Sequence, residues 1–381
     1  MRAAFVNVLT CACLCAAGAV SAAEWSMAPR VGWSVDHDSN RSLVDEADAG
    51  QAATLQLDLA LKRATGRSLF SLQPHLDLQR YTGNDSRDAD NESLAAVGNW
   101  NFPRSMFTAR AALAHQNTLG SEFADSGIID IDTRRRSKTG ALSWTHAQTK
   151  DRNQLSVQVS HADIDYQGSE AYRTSGYRYP SLSVTQVLGF SPRSSMQLTA
   201  YGSSLRSDAD SEVSNSVGAQ VGFSHDLTSN MSLSLAGGLS RKTTGSGGES
   251  GYTGELELTR SDARTKWRLF AQRSVAPSGF GVLVTRTEAG LAFDRRLAPR
   301  WATTMSIRSI GNDDFDFTRS GEVRRYERLD AGLIWQASRT WLVSGLSSVS
   351  RMQRFRDEGF AEGWRLMCSA AWSPNPRIVS R

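Results

Sequence analysis

The chain has 381 residues, of which 22% are charged, and a formal net charge of +4. No basic stripe interleaved with aromatics appears, which excludes a nucleic-acid binder. A mean hydropathy of −0.38 suits a water-soluble fold, but it suits a transmembrane barrel equally well, because there only alternate residues of each strand meet lipid.

Residues 1–22 read as a cleaved secretory signal. Arg2 opens it, an apolar stretch runs from Ala3 to Val20, and Val20-Ser21-Ala22 supplies the small-residue cleavage pattern. The mature chain is expected to begin at Ala23 with its charge reduced to +3 by the loss of Arg2, and Cys11, Cys13 and Cys15 leave with the signal. Leu14 before Cys15 does not suit lipid attachment. The one remaining thiol, Cys368, permits neither an internal disulfide nor a cysteine metal site. Beyond the signal, no run of about 18 apolar residues offers a helical membrane span.

From Ala23 to Trp372 apolar residues recur at period two, which sets them on one face of successive strands. The first strand is expected near Met27–His37. Leu55, Leu57, Leu59 and Leu61 then alternate with Thr54, Gln56, Asp58, Ala60 and Lys62. Phe70, Leu72, Pro74, Leu76 and Leu78 are set against His75, Asp77 and Gln79. The pattern returns at Leu155–Val159, Val217–Phe223, Met231–Leu239, Trp301–Ile307 and Leu329–Trp335, and it ends with a last strand near Gly363–Trp372. Alternation is weaker near Tyr177–Leu188 and Val282–Phe293.

Short polar turns bracketed by large apolar residues punctuate the pattern. Leu61 and Phe70 flank the first, and Phe102 and Phe107 the second. Trp144 with Leu155, Phe190 with Met196, Phe223 with Met231, Leu258 with Trp267, Phe293 with Trp301, and Trp335 with Trp341 flank the rest. The opposite strand ends carry longer polar loops at 36–50, 82–91, 116–138, 242–251, 310–323 and 351–362. One rim with tight turns and an aromatic girdle (Phe102, Phe107, Phe190, Phe223, Trp267, Phe293, Trp301, Trp335, Trp341, Trp372), and another with long polar loops, is the asymmetry of an outer-membrane barrel. Eight turns plus one strand at each end predict an all-β, up-and-down antiparallel barrel of about 18 strands (16 if two fail) over residues 23–372. Residues 373–381 are left as a short C-terminal tail.

Parity assigns chemistry to the inner face. Lys62, Arg110, Lys266, Arg268, Arg308, Arg328 and Arg365 fall opposite the lipid-facing residues, together with Asp58, Asp77, Glu255, Glu257, Glu288 and Asp330. These charges either line a water-filled passage whose cations favour anions or pair across strands and keep the interior wet. No histidine spacing suits a metal, and the acidic clusters Asp85/Asp88/Asp90 and Asp313/Asp314/Asp316 lack the ordered pattern of a calcium loop. Ser160-His161 and Ser224-His225 cannot converge as sequence neighbours, since adjacent strand residues point to opposite faces. No catalytic residue and no cofactor is therefore assigned. Gly245-Ser246-Gly247-Gly248 reads as a loop tip, and Ala276-Pro277-Ser278-Gly279-Phe280-Gly281 as a tight loop needing unusual backbone angles.

The stretch Arg273-Ser274-Val275-Ala276-Pro277-Ser278-Gly279-Phe280-Gly281 resembles outer-membrane β-barrel porins of Gram-negative bacteria encoded near exopolysaccharide-export genes. The opening Pro29-Arg30-Val31-Gly32-Trp33, with Asp36, Asp38 and Asn40, is similar to the first strand of such barrels. The resemblance implies a porin or export role in the outer membrane. Its partners would be outer-membrane lipids and lipopolysaccharide, the barrel-assembly machinery, and polysaccharide-export components. A departure is that these barrels often end on an aromatic residue, whereas Trp372 is followed by Ser373 to Arg381. Two roles stay open beside a rarer lipid-modifying enzyme: a conduit for hydrophilic solutes, or a non-conducting surface barrel whose lumen is plugged by the loop at 116–138.

Overall fold

A computed structural model describes residues 23–380, apart from 44–48, 83–87, 119–132, 149–151, 169–174, 209–212, 246, 314–322, 355–358 and 376. The signal segment lies outside the described residues. The elements of the described residues are strands, in sequence order: β1 (Glu24–Asp38), β2 (Gly50–Ala64), β3 (Ser68–Tyr81), β4 (Ala89–Asn101), β5 (Ser105–Asn117) and β6 (Arg134–Ala147). Next come β7 (Gln154–Gln167), β8 (Tyr177–Ser191), β9 (Ser194–Ser207), β10 (Val213–Thr228), β11 (Met231–Thr244) and β12 (Gly247–Ser261). The series ends with β13 (Thr265–Pro277), β14 (Leu283–Ala298), β15 (Trp301–Asp313), β16 (Val323–Trp335), β17 (Trp341–Arg354), β18 (Ala361–Trp372) and the short β19 (Arg377–Ser380).

Each of the first 18 strands pairs antiparallel with its neighbours in sequence, and β1 closes on β18, giving a closed 18-stranded barrel. Closure leaves no free edge in a medium that cannot satisfy one. The seam needs an extra piece. Only Val31–Asp38 of β1 lie against β18, and β19 pairs with Trp25, Ser26 and Met27, extending the seam toward the tight-turn rim. Four of the residues read as a tail thus belong to the sheet.

Register fixes the two faces, because directly opposed residues of an antiparallel pair share one. Trp33↔Leu55↔Leu78 and Leu291↔Ile307↔Leu329↔Val349 run around the outside. Most outward apolar residues are exposed, Leu239 at 73% and Leu142 at 64% among them, as expected of side chains that meet lipid rather than a protein core. Eight of the ten girdle aromatics sit within two residues of a strand end on the tight-turn rim, and Phe223 and Phe293 lie five residues in. Phe102 meets Phe107 edge-on at 5.9 Å and Trp301 stacks on Trp335 at 5.8 Å, while Trp267 opposes Phe293 and Trp341 opposes Trp372. Trp100, which alternation alone does not single out, joins them opposite Phe107.

The opposite rim differs from expectation at one loop. Residues 242–251 are not a long loop: β11 and β12 stay paired to Thr244↔Gly247, and Gly245 takes a left-handed φ of 51° at the tip. The glycines and hydroxyls that suggested a loop are strand residues standing beyond the apolar band.

Candidate functional site

Interior positions follow the same registers. Arg30 opposes Asp58, which opposes His75, and Gln56 opposes Asp77. Glu255 opposes Gln272, which opposes Glu288, while Thr259 opposes Arg268 and Ser261 opposes Lys266. Arg308 opposes Arg328, Asp330 opposes Ser348, and Ser348 opposes Arg365. Lys62 lies opposite Ser71, and Arg110 between Val97 and Ala141. All thirteen charged residues assigned inward by parity share this face.

Their neighbours differ by sector. Between Ser137 and Ser240, the inward residues of β6 to β11 are uncharged apart from Asp226 near a tight turn. They form a hydroxyl and amide lattice. Ser160 bonds Ser181 at 2.5 Å, Thr185 bonds Thr199 at 3.1 Å, Tyr179 donates to Ser203 at 3.0 Å, and Gln220 donates to Thr253 at 2.8 Å. Strands β12 to β18 and β1 to β3 carry the charge. His75 bridges Asp58 at 2.6 Å and Asp77 at 3.0 Å, and Arg268 pairs with Glu257. Arg308 donates to Glu288 at 2.8 Å, and Arg328 pairs with Asp330 at 2.7 Å. Lys62, Arg110 and Lys266 make no ion pair among the described residues.

The paired arginines are not neutralised evenly. Arg308 and Arg365 show 36% and 33% of their side chains, whereas their carboxylates Glu288 and Asp36 show 9% and 1%. In these two pairs the arginine side chain is more exposed than its acid, while the inward Glu255 and Asp294 are exposed and make no ion pair among the described residues. Asp36 was not among the inward charges read from the sequence. It accepts from Arg41 at 2.5 Å and forms an ion pair with Arg365 at 2.8 Å.

Two loops fold inward at the long-loop rim. In the first, Ser39–Leu43 turns over the wall. Asn40 donates to the carbonyl of Glu362 at 3.0 Å, and Arg354 donates to the carbonyls of Leu43 and Ser42. Arg41 lies 4.4 Å over the Tyr81 ring. Leu43, held at a φ of 44°, packs into an apolar cluster of Ile310, Val323, Tyr326, Met352 and Ala361. Beneath it, Asp38, Arg41, Tyr81, Phe270, Arg328 and Arg365 help line a cavity of 490 Å³.

The second is the Ser278–Val282 loop of the family-like stretch. It crosses a sector of the mouth to β7–β9. The Ser175 amide donates to the Gly279 carbonyl at 3.3 Å, and Leu283 joins Ile164, Tyr177 and Leu205 in a second apolar cluster. Gly281 has a φ of 74°, and a Cβ there would collide with Ser207 and Ser175. The loop expected to plug the interior, 116–138, lies mostly outside the described residues.

No protein-family model and no curated protein matches the sequence. Solved outer-membrane proteins share its fold. The outer membrane protein opdK of Pseudomonas aeruginosa superposes with a TM-score of 0.50 at 10% identity, over 91% of this chain and 99% of that one. OccK5 (OpdH) of the same organism gives 0.50 at 12% identity, covering 92% and 98%. The outer membrane channel DcaP of Acinetobacter baumannii gives 0.50 at 12%, covering 93% and 99%. At such identities the likeness is one of architecture.

The remaining candidates stay apart. Asp88 accepts from the Tyr81 amide at 2.8 Å, Asp90 pairs with Arg80 at 2.8 Å, and Asp313 pairs with Arg273 at 2.9 Å; Asp85, Asp314 and Asp316 lie outside the described residues. Ser160 and Ser224 do not bond their neighbouring histidines. His225 instead bonds Ser194, and His146 bonds Ser105, both at 2.9 Å on the outer face. Neither pair is extended by a carboxylate among the described residues, so no third group orients the imidazole for catalysis.

Proposed function

We propose that the protein is a channel of the bacterial outer membrane that passes hydrophilic solutes and favours anions. The observation that carries this reading is the inward wall on which Arg308 and Arg365 are more exposed than their carboxylates, beside Lys62, Arg110 and Lys266, which make no ion pair among the described residues. An 18-stranded closure is wide enough for an aqueous passage, and two loops fold inward at its mouth. The apolar outer band and the girdle suit a bilayer, and the long loops would face the cell exterior. A link to polysaccharide export rests on the resemblance of residues 273–281 and 29–33 and is a narrower version of the same proposal.

The test is single-channel recording of the refolded protein in a planar bilayer, with reversal potential measured across a salt gradient. Discrete conductance steps with an anion preference are expected. Lys62→Glu with Lys266→Glu should move the preference toward cations, since neither lysine is held in an ion pair among the described residues, although Asp294 lies opposite Lys266. Unchanged selectivity in a conducting channel would remove this wall from the permeation path. A folded barrel that passes no current would favour the second reading, a surface barrel closed by its loops, which the infolding of Ser39–Leu43 and Ser278–Val282 supports.

A further inference from the structure

Above the apolar band, the outer face carries charge whose pairing differs around the circumference. On one side most bases meet an acid, Arg80 with Asp90, Arg273 with Asp313 and Arg351 with Glu327, while Arg325 makes no ion pair among the described residues. Over β6 to β11 fewer of the bases are paired, although Asp165 lies directly opposite Arg136. Arg134, Arg136, Arg178, Arg206 and Arg241 point outward there and make no hydrogen bond or ion pair among the described residues. Asp163, the one acid opposite Arg178, is bonded instead to Lys138 at 3.1 Å.

Arg178 and Arg206 are direct register partners on β8 and β9, both exposed. Like charges set directly opposite one another on a sheet repel, so an anion between them would convert a cost into two charge-assisted bonds. A second observation points to what carries that anion. Beside Arg241 the surface is hollow, with Val217, Leu239, Arg241 and Tyr252 helping to line a concavity of 650 Å³. Leu239 and Tyr252 are 73% and 65% exposed, so the hollow is apolar and open to the surroundings. The unpaired Arg241 at the edge of an apolar hollow, with Arg178 and Arg206 on the nearby strands β8 and β9 of the same face, matches a molecule with phosphate at one end and acyl chain at the other.

We propose that the β6–β11 face binds a phosphorylated lipid of the leaflet on the long-loop side. Its phosphates would sit between Arg178 and Arg206 and beside Arg241, and an acyl chain would lie along Val217, Leu239 and Tyr252. This rests on the membrane placement proposed above but not on conduction, so the two fail separately: a closed barrel could bind the lipid, and an open one could lack it.

The experiment is native mass spectrometry of the detergent-purified barrel, titrated with bisphosphorylated lipid A, with the same lipid stripped of phosphate, and with inorganic phosphate. The expected result is retention of the bisphosphorylated lipid that weakens by about tenfold or more in Arg178→Ser/Arg206→Ser, as loss of charge-assisted contacts requires. Arg351→Ser, from the paired sector, should leave retention unchanged, and heat-modifiable gel mobility confirms that each variant is folded. Equal retention of the dephosphorylated lipid, or equal loss in Arg351→Ser, would overturn the proposal. So would saturation by inorganic phosphate with no lipid retained, or a stable lipid-free oligomer that the double variant dissolves.

Discussion

Gly281 and Leu43 both sit at left-handed backbone angles inside the mouth, and for opposite reasons. Gly281 has no side chain because Ser207 and Ser175 occupy the space a Cβ would take. Leu43 tolerates its φ of 44° because a nearly complete burial among Ile310, Val323, Tyr326, Met352 and Ala361 compensates a strain of about 1–3 kcal/mol. Gly281→Val should therefore cost the loop its seat on β7–β9 without unfolding the barrel, whose ladders it does not enter. The expected outcome is a larger single-channel conductance with unchanged heat-modifiable mobility. The same conductance would mean that this loop does not border the path. Neither contact was legible beforehand as a pairing, since a loop residue has no periodicity to read. A trace of both was present, however. Ile310, Tyr326 and Met352 on one wall, and Ile164, Tyr177 and Leu205 on the other, are apolar residues on the polar face close to strand ends. Such exceptions to alternation mark where something folds inward to cover them.

Strands were readable because period two is enforced on every one of them by lipid outside and water inside. The thirteen charges assigned inward share a face for that reason, as do the girdle residues at the tight turns. Reading failed where composition imitated a loop without forming one. Gly247, Gly248 and Gly251 face Thr244, Thr243 and Ser240 in an intact ladder, because a hairpin above the band needs hydrogen bonds but no apolar side chains. It also missed β19, four residues past a break. Only Val31–Asp38 are covered by β18, so Trp25–Met27 depend on β19 for their second set of backbone partners. Deleting residues 374–381 should expose that edge near the girdle, where unmade backbone bonds cost several kcal/mol. The expected result is a barrel that still closes but loses heat resistance, seen as a lower transition temperature between its compact and extended gel forms. An unchanged transition would show that water at the rim satisfies the edge as well as β19 does.

At the scale of the whole barrel, the division of the interior into a hydroxyl wall and a charged wall decides how far selectivity can reach. Mobile ions screen a wall charge over about 30 Å at 0.01 M salt but over about 3 Å at 1 M. In a lumen as wide as 18 strands allow, wall arginines alone would select at low salt and lose their influence at high salt. The Ser39–Leu43 loop changes this, because it leans across toward β15–β18 and leaves Arg328 and Arg365 lining the 490 Å³ space beneath it. Ions passing there stay within a few ångströms of guanidinium groups, where screening is incomplete. Anion preference is therefore expected to persist at 1 M salt. Asp36 anchors the arrangement through Arg41 and Arg365, so Asp36→Asn, which removes that charge, should free the loop. The variant should keep anion preference at 0.01 M and lose it at 1 M, measured as reversal potential across a fixed concentration ratio. If the unaltered protein already loses its preference at 1 M, the charged wall acts across open water and the infolded loop does not hold ions against it.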